Sequence, residues 1–381
     1  MIRVDVRPRM LRWARERAGY STDALLRRFP KLVDWEAGKI RPTLKQLEQF
    51  ARSTHVPVGF LFLPEPPEES VPIPDFRRVA GAEDLSPSPD LLDTIYLCQQ
   101  RQEWFRDFAR SSGEKPLGFV GSVEAGDDVV EVANRIRSTL EFDLEARRRH
   151  PTWTDALRGF IGQAEEAGVL VMCSGVVGNN TRRALNPEEF RGFALADDLA
   201  PLVFINGADT RAAQMFTLAH ELAHIWLGQS ALTDSEAGQI PDRASEQWCN
   251  HVAAELLVPL ALLQEEYDPS QPLEDEAQRL ARRFKVSTLV ILRRIHDIGG
   301  INRQELRGAY ETELEKLLDV PRGSGGNFYL TQAARTSKRF TRALVISTLE
   351  GRTLHRDAFR LLGFKKLSTF QELGRTLGVA I

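Results

Sequence analysis

His220-Glu221-Leu222-Ala223-His224 decides the reading of this chain. On a helix, two histidines four residues apart project from one face and can grip one metal ion, with a carboxylate between them in the sequence to handle a proton. That is the layout of a zinc-dependent hydrolase. The stretch from Thr210 to Ala219 reads as helix and Ile225-Trp226-Leu227 continues it. The histidines are therefore expected inside a long amphipathic helix whose other face can be buried.

A catalytic zinc shell usually takes three protein ligands and leaves one position for water, so a third ligand must come from elsewhere. Downstream lies a second helical pattern, Ala244 to Val258, ended by Pro259. Glu246 and Asn250 share a face by their four-residue spacing, which lets Glu246 reach the metal while Asn250 orients a ligand or braces the first helix. Glu255, His251 and Cys249 compete for the third position. Glu246 ranks first on its place in the first turn and on the resemblance described next. His251 and Glu255 are expected to stand behind the ligands, and Cys249, among apolar neighbours, reads as a small buried hydrophobe.

With these residues in view, the chain resembles the ImmA/IrrE family of bacterial metallopeptidases. The resemblance rests on His220-Glu221-Leu222-Ala223-His224, on Glu246-Gln247-Trp248-Cys249-Asn250 and on Ala253-Ala254-Glu255-Leu256-Leu257-Val258-Pro259, and covers roughly residues 155–300. It implies that His220, His224 and Glu246 bind one zinc ion per chain, that Glu221 is the base, and that the fold is a reduced zincin with helices packed on a small sheet. It also implies a helix-turn-helix domain beside the peptidase and a role in repressor cleavage, stress response or antitoxin action. Cys249 departs from the family, which more often has alanine there.

If the metal is present, zinc polarises a scissile carbonyl and lowers the pKa of water, and Glu221 takes the proton and passes it to the leaving nitrogen. His251 or Arg243 is open as a further oxyanion partner. Pro201-Leu202-Val203-Phe204-Ile205-Asn206 is a short apolar run that reads as a strand, with Gly168 to Met172 and Phe193 to Ala196 as its neighbours. A strand near the active-site helix could pair with an extended substrate, which favours an endopeptidase of exposed segments.

The length of 381 residues calls for two or three domains. With 42% hydrophobic and 27% charged residues the composition is that of an ordinary globular protein, and a net charge of -3 with a pI near 6.2 gives no bulk attraction to nucleic acid. Cys98, Cys173 and Cys249 are too few and too scattered for a disulfide framework. No stretch approaches the roughly 20 apolar residues of a membrane span, and the first residues lack an apolar signal core, so no membrane contact and a cytoplasmic location are expected.

Residues 1–63 have a pattern of their own. Met10 to Arg17 reads as a helix ending near Gly19. Ser21 caps a second, Asp23 to Phe29; Val33 to Gly38 leads by a turn to Pro42, and Thr43 begins the helix Leu44 to Ala51. Trp35-Glu36, Gly38, Pro42-Thr43 and Leu47 make the run resemble the all-helical repressor domain of Cro/C1 or XRE type, which implies operator DNA as a partner and Lys31, Lys39 and Arg41 as phosphate contacts. The stretch between Ser21 and Trp35 is shorter than in that family, and Pro30 falls where the recognition helix should begin.

The expected architecture is multidomain and mainly α, with an α+β reduced-zincin core. A repressor-like domain occupies 1–63, a proline-rich arm 64–88, a helical linker region 89–150, the zinc peptidase 151–300 and a basic, mostly helical region 301–381. The arm includes Pro64-Glu65-Pro66-Pro67 and Pro72-Ile73-Pro74-Asp75, which cannot be helical throughout, with Phe76 as a candidate anchor. Leu273 to Ile295 imitates a second helix-turn-helix, but the resemblance implies that it packs beside the catalytic helices. In the basic region Arg335, Lys338, Arg339, Arg342, Arg352, Arg356, Arg360, Lys365 and Lys366 are expected at the surface, and the domain order resembles antitoxins paired with PIN-type ribonuclease toxins. Two functions follow. One is a zinc endopeptidase and regulator that cleaves or controls a protein partner such as a repressor or toxin. The other is an antitoxin or interaction protein that neutralises a PIN-type toxin and carries a structural or latent metal site.

Overall fold

The computed structural model describes residues 3–75, 87–233, 244–318 and 328–379. Arg243, Phe76 and the glycine-rich segment 323–326 lie outside the described residues. The chain is mainly helical with one small mixed sheet, and it divides into two compact units: residues 1–72 with 79–95, and residues 73–78 with 96–381. Among the described residues, no helix is long and apolar enough to cross a membrane.

The first unit holds α1 (Pro8–Arg17), α2 (Thr22–Leu26), α3 (Leu32–Glu36) and α4 (Leu44–Ser53), followed by a 3-10 turn at Val58–Phe62. Ser21 caps α2, and Thr43 with Gln46 forms a reciprocal capping box on α4. The second helix stops at Leu26, short of Phe29, because Phe29 turns inward to meet Trp35 and Phe50 with ring centroids 6.0 and 5.5 Å away. Before the expected turn, which runs through Gly38, the chain forms the five-residue α3, since Leu32 and Trp35, three apart, both point into the core. Part of the expected basic face is taken up internally: Arg7 and Arg9 donate to the Pro64 carbonyl, Arg9 pairs with Glu65 at 2.6 Å, and Arg17 pairs with Glu69.

A long helix, α5 (Pro89–Ser111), contributes its first turns to the first unit and the rest to the second. The second unit continues with α6 (Val129–Thr139), α7 (Leu144–Arg148), α8 (Trp153–Glu166), β1 (Leu170–Ser174), β2 (Gly192–Leu195), β3 (Leu202–Asn206), α9 (Arg211–Leu227) and β4 (Ala231–Thr233). Then follow α10 (Ala244–Leu257), α11 (Leu260–Glu266), α12 (Leu273–Phe284), α13 (Thr288–Asp297), α14 (Arg303–Leu318), α15 (Phe328–Thr336), α16 (Lys338–Leu349), α17 (His355–Leu362) and α18 (Leu367–Thr376).

The strand order is β1-β3-β2-β4, with β1 parallel to β3 and the other two pairings antiparallel. Both faces of the sheet are covered, which is why its strands read as apolar runs rather than alternations. Val171, Ala194, Val203 and Ile205 share a core with α8, α9 and α10. On the other face Phe193 and Phe204 stack at 4.9 Å, and Arg101 of α5 reaches Met172 and the Leu361 carbonyl. α15 and α16 lie against β1. The C-terminal region is therefore part of the sheet's packing: Phe340, Leu344 and Phe370 are fully buried, and the Glu165 carboxylate accepts from Ser337 Oγ and Lys338 N at the start of α16. Of the nine basic residues named above for this region, Arg335 and Arg339 are half-buried, and Arg339 pairs with Glu114 at 3.0 Å; the other seven are exposed.

α9 is capped by Thr210 and terminated by Gly228, whose φ of 67° places it in the left-handed region that favours glycine. Nearly every side chain from Gln214 to Trp226 is buried, so this helix is the centre of the unit. α12 and α13 pack into the same core through Leu280, Phe284, Val290 and Ile291.

One buried ion pair fastens α13 to α10. Arg294 bonds the Glu255 carboxylate, donates Nε–H to the Val258 carbonyl at 2.9 Å, and both side chains are 4% exposed. The same carboxylate accepts from Leu260 N, at the start of α11. Removing the guanidinium strands a buried charge, so Arg294→Ala should destabilise the unit by about 3–5 kcal/mol. Arg307→Ala, in an exposed pair with Glu311, should cost less than about 1 kcal/mol. Urea unfolding of the two variants measures the difference.

Candidate metal centre

His220 and His224 lie one turn apart on α9, as their spacing requires, and α10 crosses them with Glu246. His220 Nε2 and His224 Nε2 are 3.1 Å apart; Glu246 Oε2 is 3.2 Å from the first and Oε1 is 3.0 Å from the second. All three side chains are at most 2% exposed, and their donor atoms form the one compact metal-ligating cluster among the described residues. Zinc donors at about 2.0–2.1 Å in a tetrahedron stand about 3.3 Å from one another. The observed spacing of 3.0–3.2 Å fits that requirement. Two neutral imidazoles facing each other through Nε2 also fit a shared cation better than each other, since each neutral ring has one acceptor nitrogen.

Burial pushes Glu246 up, but the two imidazoles outweigh it and hold the carboxyl far below its usual range. Burial likewise pushes His220 down, yet Glu246, Glu221 and Asn250 raise it overall, whereas burial leaves His224 lowered. The cluster thus carries a full carboxylate in a dry place. Glu221, fully buried beside it, is pushed up to about 8, by burial first and by Glu246 second, against the opposing pull of His220 and Thr233. Its Oε1 accepts a hydrogen bond from the Thr233 hydroxyl on β4, and Oε2 has no hydrogen-bond partner among the described residues.

Asn250 faces His220, as its spacing from Glu246 implies. Glu255 and His251 stand elsewhere. The Glu255 carboxylate belongs to Arg294 and Leu260 N, and His251 is exposed, near Asp297, Arg293 and Arg294 of α13. At roughly 100° per residue, positions five and nine beyond Glu246 turn about 140° and 180° away from its face. Lys31, Lys39 and Arg41 are all exposed on the first unit, with Arg41 3.5 Å from Asp5.

Three contributors carry weaker signals in the sequence. Cys249 is more than a volume filler, because its Sγ lies 3.7 Å from His224 Nδ1, this ligand's second nitrogen. Thr233 holds Glu221 from a three-residue strand. Gly192 pairs with Thr233 on β2, and a Cβ there would sit 2.5 Å from Thr217 Cγ2, 2.8 Å from the Phe204 carbonyl and 3.1 Å from Glu221 Oε1. A glycine inside a strand is the signal of such a close approach.

Residues 164–296 match the IrrE N-terminal-like domain. The matched span contains His220, Glu221, His224 and Glu246, so the IrrE-like domain and the buried cluster coincide. Residues 336–376, which include α16, α17 and α18, match a family described only as a domain of unknown function. No match was found among curated proteins.

Two substitutions separate ligand from scaffold. Glu246→Ala should weaken zinc binding by more than the roughly 10–100-fold typical of groups that only support a ligand, while Glu255→Ala should leave zinc affinity unchanged and lower stability. Competitive zinc titration with a chromogenic chelator reads both. Gly192→Ala should cost about 1–3 kcal/mol by overpacking, and with it the fixed position of Glu221; thermal unfolding checks the first.

Proposed function

We propose that this protein is a zinc-dependent endopeptidase that cleaves or controls a protein partner, such as a repressor or a toxin. The observation that carries the reading is the buried His220, His224 and Glu246 cluster with a second carboxylate, Glu221, fixed at one oxygen and unengaged at the other. When bound, zinc supplies Lewis acidity toward a scissile carbonyl and toward water. With the metal held by His220, His224 and Glu246, Glu221 Oε2 would accept a proton from the attacking water and return it to the departing amide nitrogen. A residue that must both take and give a proton near neutrality works best with a raised carboxyl pKa. Burial provides this. The Thr233 hydroxyl orients the carboxylate, leaving Oε2 for proton transfer. The wall of β4 beside it suits an extended polypeptide that adds as a strand.

The alternative is an antitoxin or interaction protein whose metal is structural. It draws support from the exposure of Lys338, Arg342, Arg352, Arg356, Arg360, Lys365 and Lys366, although Arg352 stands beside Glu350 and Arg356 and Arg360 beside Asp357. Exposure of Lys31, Lys39 and Arg41 likewise supports operator DNA as a ligand of the first unit, although the five-residue α3 leaves little recognition helix. One substitution separates the two functions. Glu221→Gln should keep about one zinc per chain and lose about 10²–10⁴-fold in cleavage rate; if the variant still controls its partner in full, the metal site is structural and the peptidase reading fails.

A further inference from the structure

Arg147 of α7 is a buried cation that the metal cluster does not use. The residue is 4% exposed, and neither Nη1 nor Nη2 has a hydrogen-bond partner among the described residues. Its guanidinium carbon lies 5.3 Å from the centre of the Phe142 ring, and Phe142 packs in turn on Phe160 of α8. α7 also lies against α12. Arg147 precedes the span that matches the IrrE-like domain, although α12 belongs to that span.

A ring face satisfies only part of a guanidinium. Cation–π attraction acts on the charge, whereas the N–H groups lie in the guanidinium plane and each needs an acceptor. Nη1 and Nη2 carry all of these donors but one. Glu145 of α7 pairs with Arg148, Asp155 of α8 with Arg158, and the buried Glu276 of α12 with Arg279 and Asp268 N, so none of these carboxylates serves Arg147. Burial alone pulls Arg147 down to about 9, with no acid to offset it. The guanidinium therefore keeps its proton at neutral pH in a place where its donors are unmatched, a desolvation cost that stacking on one ring does not cancel. The solvent side of the helix is cationic as well: Arg149 is exposed and makes no ion pair among the described residues, and His150 follows it half-buried.

We propose that Arg147 anchors a binding site for a small monovalent anion of the halide class, held by the Nη1 and Nη2 donors beside Phe142. The class follows from charge and enclosure. One guanidinium compensates one negative charge, and an anion of higher charge would carry a surplus into an apolar place. A single-atom ion accepts from both nitrogens at once and needs the smallest opening beside a packed ring, whereas a carboxylate or phosphate brings a body that the enclosed donors have no free surface to receive. Arg149 and His150 raise the local concentration of anions at the surface above it. The bound ion completes the joint between α7 and the helices beneath it, so occupancy is expressed as stability. It depends neither on the zinc cluster nor on any peptidase activity.

The test uses the full-length protein and three variants. Arg147→Met keeps most of the side-chain length without charge or donors, Arg147→Gln keeps a polar end without charge, and Arg149→Met removes the neighbouring exposed charge. Thermal unfolding is followed as sodium chloride replaces sodium gluconate at constant ionic strength. An ion that binds only the folded state raises the midpoint with its concentration, so the unaltered protein and Arg149→Met should gain about 2 °C or more across the series. Both Arg147 variants should gain nothing. Should neither of them fold, the unaltered protein decides the matter by itself: crystals soaked in sodium bromide should show an anomalous peak within hydrogen-bond distance of Nη1 and Nη2. A midpoint indifferent to chloride, with no bromide peak at Arg147, would overturn the site and leave water as the partner of the guanidinium. A chloride effect of equal size in Arg147→Met would overturn it too, because the ion then binds elsewhere.

Discussion

A carboxylate and two imidazoles with almost no exposure converge to within about one hydrogen-bond length of one another, and much of the second unit is arranged around that concentration of polar groups. In a low-dielectric interior an ionised carboxylate is costly unless positive charge or strong donors compensate it. The imidazoles do so in part, which is why Glu246 stays ionised against burial. A shared cation would do so more fully and would also relieve the facing Nε2 atoms. The same concentration of charge explains the neighbours: the Cys249 thiol is pushed well above its ordinary value by burial and then by Glu246 and Glu221, so it faces His224 as a neutral group.

Holding such a cluster demands rigid walls. α9 is buried on nearly all sides, and its two histidines inherit the precision of a helix that cannot shift without disturbing the sheet beneath it. The sheet comes close only because Gly192 has no side chain, and β4 then places Thr233 against Glu221. Behind α10, the Arg294 and Glu255 pair fixes the helix that carries Glu246. The far face of the sheet is closed by α5, α15 and α16, so residues well beyond the IrrE-like domain match help to define the strands that support the site.

What could be read in the sequence follows physical range. His220, Glu221 and His224 were legible because their relation is set within one helical turn, and the relation of Glu246 to Asn250 is equally local. The three apolar strands were legible as runs. β4 was not, because three residues carry no periodicity, and with it went Thr233, whose role depends on pairing with a strand some 40 residues earlier. His251 and Glu255 were placed near the metal by composition, whereas helix phase puts them on other faces. The C-terminal region reads as a basic surface because its arginines and lysines stand out in the sequence, yet Phe340, Leu344 and Phe370 among them are fully buried and dock it on the fold. In the first unit Leu32 and Trp35 make a helix where the Gly38 turn signal dominates the local pattern.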